Sequence, residues 1–470
     1  MLSMKRRGAA RLAAAVVASG LVAAGAIATA GTAAADETTP THGGATATLG
    51  GLKTFDQAVV HNDGGDQRVG AGLFEMAVDN GGTLQTYCID IHNPTQQQAK
   101  YQEVPWSASS LHNNGDAGKI RWILQNSYPQ VNDLAALASK AGAGNLTEKT
   151  AAAGTQVAIW RFSDHAKVDA VDPAAEKLAD YLEKSAQNVG EPKASLTLDP
   201  PAVSGKSGGK LGPVTVHTNA DSVTISPGAG AAAGVKVVGK DGKAVTSAAD
   251  GTQLFFDVPK GAADGSTSLT AQAATKVPVG RAFTGIGVHA KSQTQILAGS
   301  SESTVSAAAT ASWKKQGAIP AITAEKNCAK GGVDVTATNK GDEAFRFQLS
   351  GKDFEIAPGK SQTVTVPVAE DQPYNITIKG EGGFKKSFSG VLDCKTAGSG
   401  GGGKPSTQPS PASVGGSTGG SAGGDKGGDL AETGSSNATP MIAGIAVVLV
   451  VVGGASVFFL RKKKSGTPAQ

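Results

Sequence analysis

The sequence is poor in the side chains that most catalytic and metal sites use. Among 470 residues there are three cysteines, seven histidines and only 5% aromatic residues. The histidines form neither an H-E-x-x-H pair nor a zinc-ribbon spacing, and no stretch has the pattern of an EF-hand loop. No two cysteines form a C-x-x-C redox motif. We therefore predict no metal site and no cofactor.

The chain also lacks a basic surplus once its two ends are set aside. Its formal charge is +4, from 43 lysines and arginines and 39 aspartates and glutamates. Residues 1–35 and residues 434–470 each hold four basic residues and no acidic one. The segment between them has 35 basic and 39 acidic residues, a net charge of −4. Charge therefore gives no reason to expect a nucleic-acid partner.

The first 35 residues have the composition of an export signal. A long run of alanine, valine and leucine ends at the small-residue site Ala33-x-Ala35, and it is preceded by the basic residues Lys5, Arg6, Arg7 and Arg11. We predict a secretory signal peptide over 1–35, cleaved after Ala35. Export would place the remaining chain in an oxidising space, where disulfides persist.

The C-terminal end, residues 430–464, combines three features. The pentapeptide LAETG precedes an apolar run, MIAGIAVVLVVVGGASVFFL, which is followed by RKKK. A run of about 20 apolar residues predicts a transmembrane helix, and the basic flank predicts that its end stays in the cytoplasm. Hydropathy alone would favour an ordinary single-pass anchor. With the pentapeptide, the segment resembles the sorting signal of wall-anchored Gram-positive surface proteins, in the Leu-Ala-x-Thr-Gly variant of actinobacteria.

This resemblance implies a covalent anchor. A sortase, of a class E-like type, would cut the Thr433–Gly434 bond and join the threonine carbonyl to peptidoglycan. The membrane segment would then hold the protein only transiently, and the mature protein would lie outside the cell on the wall. The residues that the resemblance assigns to recognition and cleavage are Leu430, Ala431, Thr433 and Gly434.

Three regions with different compositions precede the sorting signal. Residues 397–429 are rich in glycine, serine and proline and predict a flexible wall-spanning linker. Alternating runs such as VDVTATN and SQTVTVPV predict a β-sandwich over 318–396, and runs such as GPVTVHT and QLFFDVP predict another over 196–312. We expect both to be all-β, immunoglobulin-like sandwiches. A Cys328–Cys394 disulfide would join the ends of the second one and contribute roughly 4 kcal/mol.

The first folded region, 42–195, differs from the other two because it predicts helices after strands. Strand-like runs RVGAGLFEMAV and LQTYCIDI come first. Helical segments then follow: GKIRWILQNSY, DLAALASKA, TEKTAAAGTQVAIWRFSD and DPAAEKLADYLEKSAQN. Asp172 is the expected N-cap of the last, with Pro173 at its first position. The order indicates an α+β domain.

Cys88 is the cysteine that has no partner if Cys328 pairs with Cys394, and Gln156 is a polar residue on an apolar stripe of its predicted helix. Strand alternation places Tyr87 and Ile89 on the core side and Cys88 on the polar side. Gln156 shares a helical stripe with Ala152, Ile159 and Trp160. Its amide would then be buried, and it would need partners there.

These two residues lie in motifs that resemble those of the thioester domains of Gram-positive surface proteins. The first motif is Tyr87-Cys88-Ile89-Asp90, and the second, Thr-Gln-x-Ala, is TQVA at residues 155–158. The resemblance implies an internal thioester between Cys88 and Gln156. It would capture an amine of an unknown surface target as a stable amide. The protein would thus be an adhesin that reacts once, and not a turnover enzyme.

Two alternatives remain open from the sequence. Cys88 is also the possible nucleophile of a cysteine hydrolase or transpeptidase whose base is His92, His112 or His165. The other alternative is a passive wall-anchored spacer in which Cys88 is a small buried side chain. Asp90 is a possible proton carrier for thioester chemistry, whereas His92, before Asn93-Pro94, is interpreted as a solvated loop residue.

Overall fold

The computed structural model of the chain describes residues 37–38, 43–228 and 234–394. The predicted signal peptide (1–35), linker (397–429) and sorting signal with its transmembrane helix (430–464) lie outside the described residues. Within the described ranges, no helix is long and apolar enough to cross a membrane.

The first part of the chain supplies six strands and four helices. The strands are β1 Glu37–Thr38, β2 Thr46–Asn62, β3 Gly65–Val78, β4 Thr83–Cys88, β5 Lys100–Val104 and β6 Val168–Ala170. The helices are α1 Ala117–Asn126, α2 Leu134–Ala141, α3 Glu148–Ser163 and α4 Pro173–Ser185. All four predicted helices are confirmed. The Asp172 carboxylate accepts hydrogen bonds from the first backbone N–H groups of α4, and Pro173 is the first helical residue.

The rest of the described chain is almost entirely β-structure. Its first eleven strands are β7 Leu196–Asp199, β8 Ala202–Lys206, β9 Lys210–Thr218, β10 Val223–Pro227, β11 Lys236–Val238, β12 Ser247–Ala248, β13 Gln253–Asp257, β14 Gly265–Lys276, β15 Ala282–Gly285, β16 Gln295–Ser300 and β17 Glu302–Lys314. The last seven are β18 Pro320–Asn327, β19 Gly332–Asn339, β20 Phe345–Leu349, β21 Lys352–Ile356, β22 Ser361–Pro367, β23 Gln372–Gly380 and β24 Lys385–Leu392.

Six strands close into a barrel. The hydrogen-bonded order is β3-β4-β16-β15-β5-β2, and β2 pairs back with β3 along most of its length. Strand β6 adds to the far end of β2. Helix α3 packs against β2, β3 and β4, and α4 packs against α3. The strand that ends at Cys88 therefore has a neighbour on each side and a helix packed against it.

Two barrel strands come from a distant part of the sequence. Strands β15 and β16 lie in the region, 196–312, that the sequence assigned wholly to a separate β-sandwich. In the structure β15 pairs with β5, and β16 pairs with β4. The predicted boundary between 42–195 and 196–312 therefore does not separate two independent folds. Local sequence patterns predict strands but not their partners, and these partners are about 200 residues apart in the chain.

The remaining strands of the middle region form two sheets. Their orders are β12-β10-β14-β17-β8 and β11-β13-β9-β7. Apolar side chains from both sheets are buried together, among them Leu254, Phe256, Leu269 and Trp313. This core is continuous with that of the barrel. The two sheets of the middle region and the barrel therefore pack as one body.

A buried ion pair lies where the barrel meets the two sheets of the middle region. The guanidinium of Arg281, which directly precedes β15, donates from Nε to the carboxylate of Glu103 on β5 at 2.9 Å. The two residues are 3% and 1% exposed. The same carboxylate accepts hydrogen bonds from the main chain of Ala45 and Ser195. One buried charge pair thus connects β5, β15 and the segment that leads into β7.

The last region also has two sheets, with orders β18-β19-β22 and β1-β24-β23-β20-β21. Their shared core includes Val333, Phe345, Ile378 and Phe388. Cys328 and Cys394 form a disulfide with a Cα–Cα distance of 5.4 Å. The structure therefore contains the bond predicted to join the ends of this region.

Candidate functional site

Cys88 is the last residue of β4 and has no disulfide partner. Every residue from Thr86 to Asp90 is at most 1% exposed. The prediction that Cys88 would lie on a polar face, opposite a buried Tyr87 and Ile89, is therefore wrong. Alternation distinguishes two faces only when one of them meets solvent, and here both faces of β4 are covered.

Helix α3 supplies the residue that faces Cys88. It begins with a capping box in which Thr147 and Thr150 each bond the other's main chain. Every residue from Thr150 to Trp160 is buried. A Cβ atom on Gly154 would lie 2.4 Å from the Ala175 carbonyl oxygen, so glycine allows α4 to pack closely. The helix is thus enclosed on all sides, and Gln156 is fully buried.

The Gln156 carboxamide pairs with the main chain of Cys88. The Cys88 N–H donates to Oε1 at 2.9 Å, and Nε2 donates to the Cys88 carbonyl oxygen at 2.9 Å. Both polar atoms of the amide are therefore satisfied in a dry interior. The two hydrogen bonds hold the amide against the residue whose thiol the sequence motifs pair with it.

The Cys88 sulfur is in surroundings that disfavour its charged form. Burial raises the pKa of the thiol, as do the negative charges of Asp164 and Asp90. Two nearby N–H groups oppose this effect on the pKa: the Trp160 indole, which makes no hydrogen bond among the described residues, and the main-chain N–H of Asp90. The Asp90 nitrogen lies 3.2 Å from Sγ. Cys88 is therefore a neutral thiol at rest, and its reaction requires a proton acceptor.

Asp90 is the buried carboxyl group nearest to Cys88 in the sequence. Its Oδ2 accepts from Asn93 at 2.6 Å, whereas Oδ1 has no hydrogen-bond partner among the described residues. Burial raises the pKa of Asp90 well above its usual value, and the charges of Asp164 and Asp393 raise it further. Burial likewise raises the pKa of Asp164 to about 6, against hydrogen bonds from Ser163 and the Ile91 N–H. Burial thus favours the protonated form of both carboxyl groups, and each is a stronger base toward the thiol proton when it is ionised.

Three residues near β16 complete the surroundings of Cys88, and the sequence analysis missed them. Gln295 is directly opposite Cys88 in the β4–β16 register and accepts from the Thr86 hydroxyl. The Thr294 carbonyl accepts from the Ile89 N–H, and the Gln293 amide donates to the Asp90 carbonyl. Their one local signal is the polar run SQTQ at 292–295, an unusual sequence for the start of a buried strand.

The histidines proposed as alternative bases do not contact the thiol. Among the hydrogen bonds of the described residues, Cys88 is bonded to Gln156 and Asp90 and to no histidine. His112 bonds the Ser109 carbonyl, and His165 is exposed. His92 is part-buried rather than solvated, and burial lowers its pKa.

Two other sets of residues lie apart from Cys88 and Gln156 in the sequence. The carboxylates of Glu370, Asp371 and Asp393 lie within 4.8 Å of one another, but the ammonium of Lys326 interacts with the charges of Asp393 and Glu370. Lys326 supplies at most one positive charge beside three acids, and neighbouring carboxylates alone do not make a metal site, so we assign no metal there. The sorting residues Leu430, Ala431, Thr433 and Gly434 lie outside the described residues.

Comparison with known proteins gives matches for two parts of the chain. Residues 85–188 match the family model described as thioester domain, and this range includes Cys88 and Gln156. Residues 320–391 match a model described as the C-terminal domain of bacterial phospholipase C. No curated protein matches the chain.

Two solved structures are similar to the chain at low identity. The Bacillus anthracis TIE protein is 14% identical, with 75% of this chain and 81% of that chain covered and a TM-score of 0.27. The thioester domain of the Enterococcus faecium TIE86 protein is 17% identical, with 60% and 100% covered and a TM-score of 0.25.

Proposed function

We propose that this chain is a wall-anchored surface protein that captures an amine of its target covalently, through a thioester between Cys88 and Gln156. The observation that carries the proposal is the pair of 2.9 Å hydrogen bonds between the Gln156 carboxamide and the Cys88 main chain. The match of residues 85–188 to the thioester domain family supports it.

Formation of the bond is an acyl transfer within the chain. Asp90 accepts the thiol proton, the sulfur attacks Cδ of Gln156, and the C–N bond breaks. The nitrogen takes this proton from Asp90 and leaves as ammonia, and a thioester remains. The Cys88 N–H already donates to Oε1, where negative charge develops in the tetrahedral intermediate. A single preorganised donor of this kind contributes about 10²–10³ to a rate.

Capture of a target repeats the acyl transfer with an external amine. The amine nitrogen forms a bond to Cδ, the C–S bond breaks, and the proton lost by the nitrogen is transferred to the sulfur. An amide of residue 156 and a free Cys88 thiol result. Since the amide is far less reactive than the thioester, each molecule reacts once. Burial of both partners protects the thioester from water until then.

Intact mass spectrometry tests this function directly. The chain from residue 36 to residue 429 is purified without a reducing agent and measured before and after exposure to methylamine. Beyond the hydrogens lost to the Cys328–Cys394 disulfide, we expect a deficit of one ammonia. Methylamine should convert this deficit into an adduct and release a thiol that can be alkylated. A mass without a deficit, with Cys88 alkylated from the start, would contradict the proposal.

Wall anchoring is tested separately in a Gram-positive host that expresses a sortase for the Leu-Ala-x-Thr-Gly motif. Replacement of Thr433 with alanine keeps the main-chain carbonyl but removes the threonine side chain that the sorting motif presents at the bond to be cut. We expect the variant to move from the wall fraction to the membrane or the medium, as measured by immunoblotting of the fractions. Thr407→Ala, a change in the predicted linker, is the matched control and should remain in the wall. Unchanged wall retention of Thr433→Ala would argue against sortase anchoring.

A further inference from the structure

The Trp160 indole is a buried donor without an acceptor. Its side chain is 4% exposed, and Nε1 has no hydrogen-bond partner within the part of the chain that the structure describes. Two other tryptophans satisfy this atom: Trp106 donates to the Gly280 carbonyl and Trp313 to the Ala263 carbonyl, each at 2.8 Å. A buried polar group that lacks a partner in the resting protein calls for an explanation.

The position of Trp160 on α3 directs its ring toward the candidate site. It follows Gln156 by four residues, so the two side chains lie on the same face of the helix. Helical side chains lean toward the N-terminus and cover the preceding turn, which here carries Gln156. The indole N–H is also close enough to the Cys88 thiol to favour the thiolate, against burial and the charges of Asp164 and Asp90.

The main chain also supplies a donor to the Cys88 sulfur. The main-chain N–H of Asp90 lies 3.2 Å from Sγ. The sulfur is thus approached by two N–H groups from different elements: one follows β4, and the other is on α3. Sulfur is a weak acceptor when it is neutral and a strong one when it is charged. Donors placed around it therefore act most strongly on the thiolate.

We propose that the Trp160 indole N–H and the Asp90 main-chain N–H stabilise the Cys88 sulfur as the C–S bond of the thioester breaks. This inference rests on the function proposed above. As the amine nitrogen bonds to Cδ, the electron pair of the C–S bond moves to Sγ, which already accepts from the Asp90 N–H and has the unpaired Trp160 indole beside it. The sulfur then takes the proton that the nitrogen gives up. Trp160 thereby makes Cys88 a better leaving group in surroundings that otherwise oppose a thiolate.

Replacement of Trp160 with phenylalanine tests the role because it keeps most of the ring and removes the N–H. Trp313→Phe, which deletes an indole N–H bonded elsewhere, is the matched control. The rate of methylamine adduct formation, followed by intact mass, should fall about 10- to 100-fold in Trp160→Phe and stay near wild type in the control. After methylamine treatment, the pH profile of Cys88 alkylation should shift to higher pH in Trp160→Phe alone.

The pH profile of Cys88 alkylation distinguishes hydrogen-bond donation by the Trp160 indole from a contribution of its ring to packing alone. A looser core would expose the thiol and lower its pKa, whereas loss of the donor raises it. A rate and a profile equal to those of wild type would overturn the proposal. If wild type itself forms no adduct, the proposed function fails; if wild type reacts and Trp160→Phe reacts equally, only the inference about Trp160 fails.

A measurement on the wild-type chain covers the case in which Trp160→Phe does not fold. The indole N–H resonance of Trp160 is assigned by elimination, with the Trp106→Phe, Trp122→Phe and Trp313→Phe variants. We expect it to move downfield when methylamine converts the thioester into the free thiol and the pH is raised to ionise it. A resonance that stays in place through both steps would overturn the proposal.

Discussion

Replacement of Gln156 or of Cys88 with alanine will abolish covalent capture of methylamine completely. Each change removes one of the two atoms that the thioester joins, and Cys88 is the only free cysteine among the described residues. Intact mass spectra of both variants should lack the ammonia deficit, and exposure to methylamine should add no mass. In Gln156→Ala the Cys88 thiol should be open to alkylation in the unfolded chain before any treatment with amine.

Cys88→Ala and Gln156→Ala should both lose the adduct, but they should differ in their effect on stability. Cys88→Ala keeps both main-chain hydrogen bonds to Gln156. Gln156→Ala leaves the N–H and C=O of Cys88 buried without partners, at a cost of about 1–3 kcal/mol for each group left unpaired. Gln253→Ala, at an exposed position of β13, is the control. An adduct that survives in either site variant would exclude this bond.

Loss of the Arg281 side chain should be among the most destabilising single changes in the barrel. Arg281→Met leaves the Glu103 carboxylate, 1% exposed, without its opposite charge. Removal of one partner of a buried ion pair costs about 3–5 kcal/mol. Urea unfolding, followed by near-ultraviolet circular dichroism, should show a decrease of this size in the free energy of unfolding.

Two further variants show whether the buried charge is the cause. The double variant Glu103→Gln, Arg281→Met leaves no unpaired charge in the interior, because Glu191, the other carboxylate bonded to Arg281, is 33% exposed; it should recover a large part of the loss. Arg346→Ala removes an exposed partner of Glu355, and should change stability by less than about 1 kcal/mol. If Arg281→Met were as stable as Arg346→Ala, the ion pair would not be what holds β5 and β15 together.

Local sequence patterns predicted most of the elements of this fold. Two of the four helices of the first region have clear local signals: the N-cap Asp172 followed by Pro173 for α4, and apolar residues at helical spacing for α3. The alternating runs between 333 and 379 likewise became β19, β20, β22 and β23. These signals operate over a few residues, and that is the range at which propensity and capping act.

The sequence could not predict which strands would be neighbours. The run FTGIGVHA at 283–290 looked like part of a sandwich, yet its first residues belong to β15 of the barrel. Strand pairing between such distant segments depends on the packing of the whole domain. The same limit applies to the site. The motifs placed Cys88 and Gln156 together by resemblance, but neither the burial of Cys88 nor the approach of Gln293 and Gln295 has a local cause.

The closure of the barrel by β15 and β16 has a consequence for how the protein is made. A chain that is exported from its amino end emerges with Cys88 and Gln156 long before Gln295, the residue that pairs opposite Cys88. Until Gln295 has emerged, β4 has an open edge, and nothing encloses the thiol and the amide in the geometry that their reaction requires. We therefore expect an incomplete chain to carry only an ordinary cysteine and an ordinary glutamine. If the chain is exported as proposed, the reactive bond would arise only after β16, Gln295–Ser300, has emerged from the export machinery.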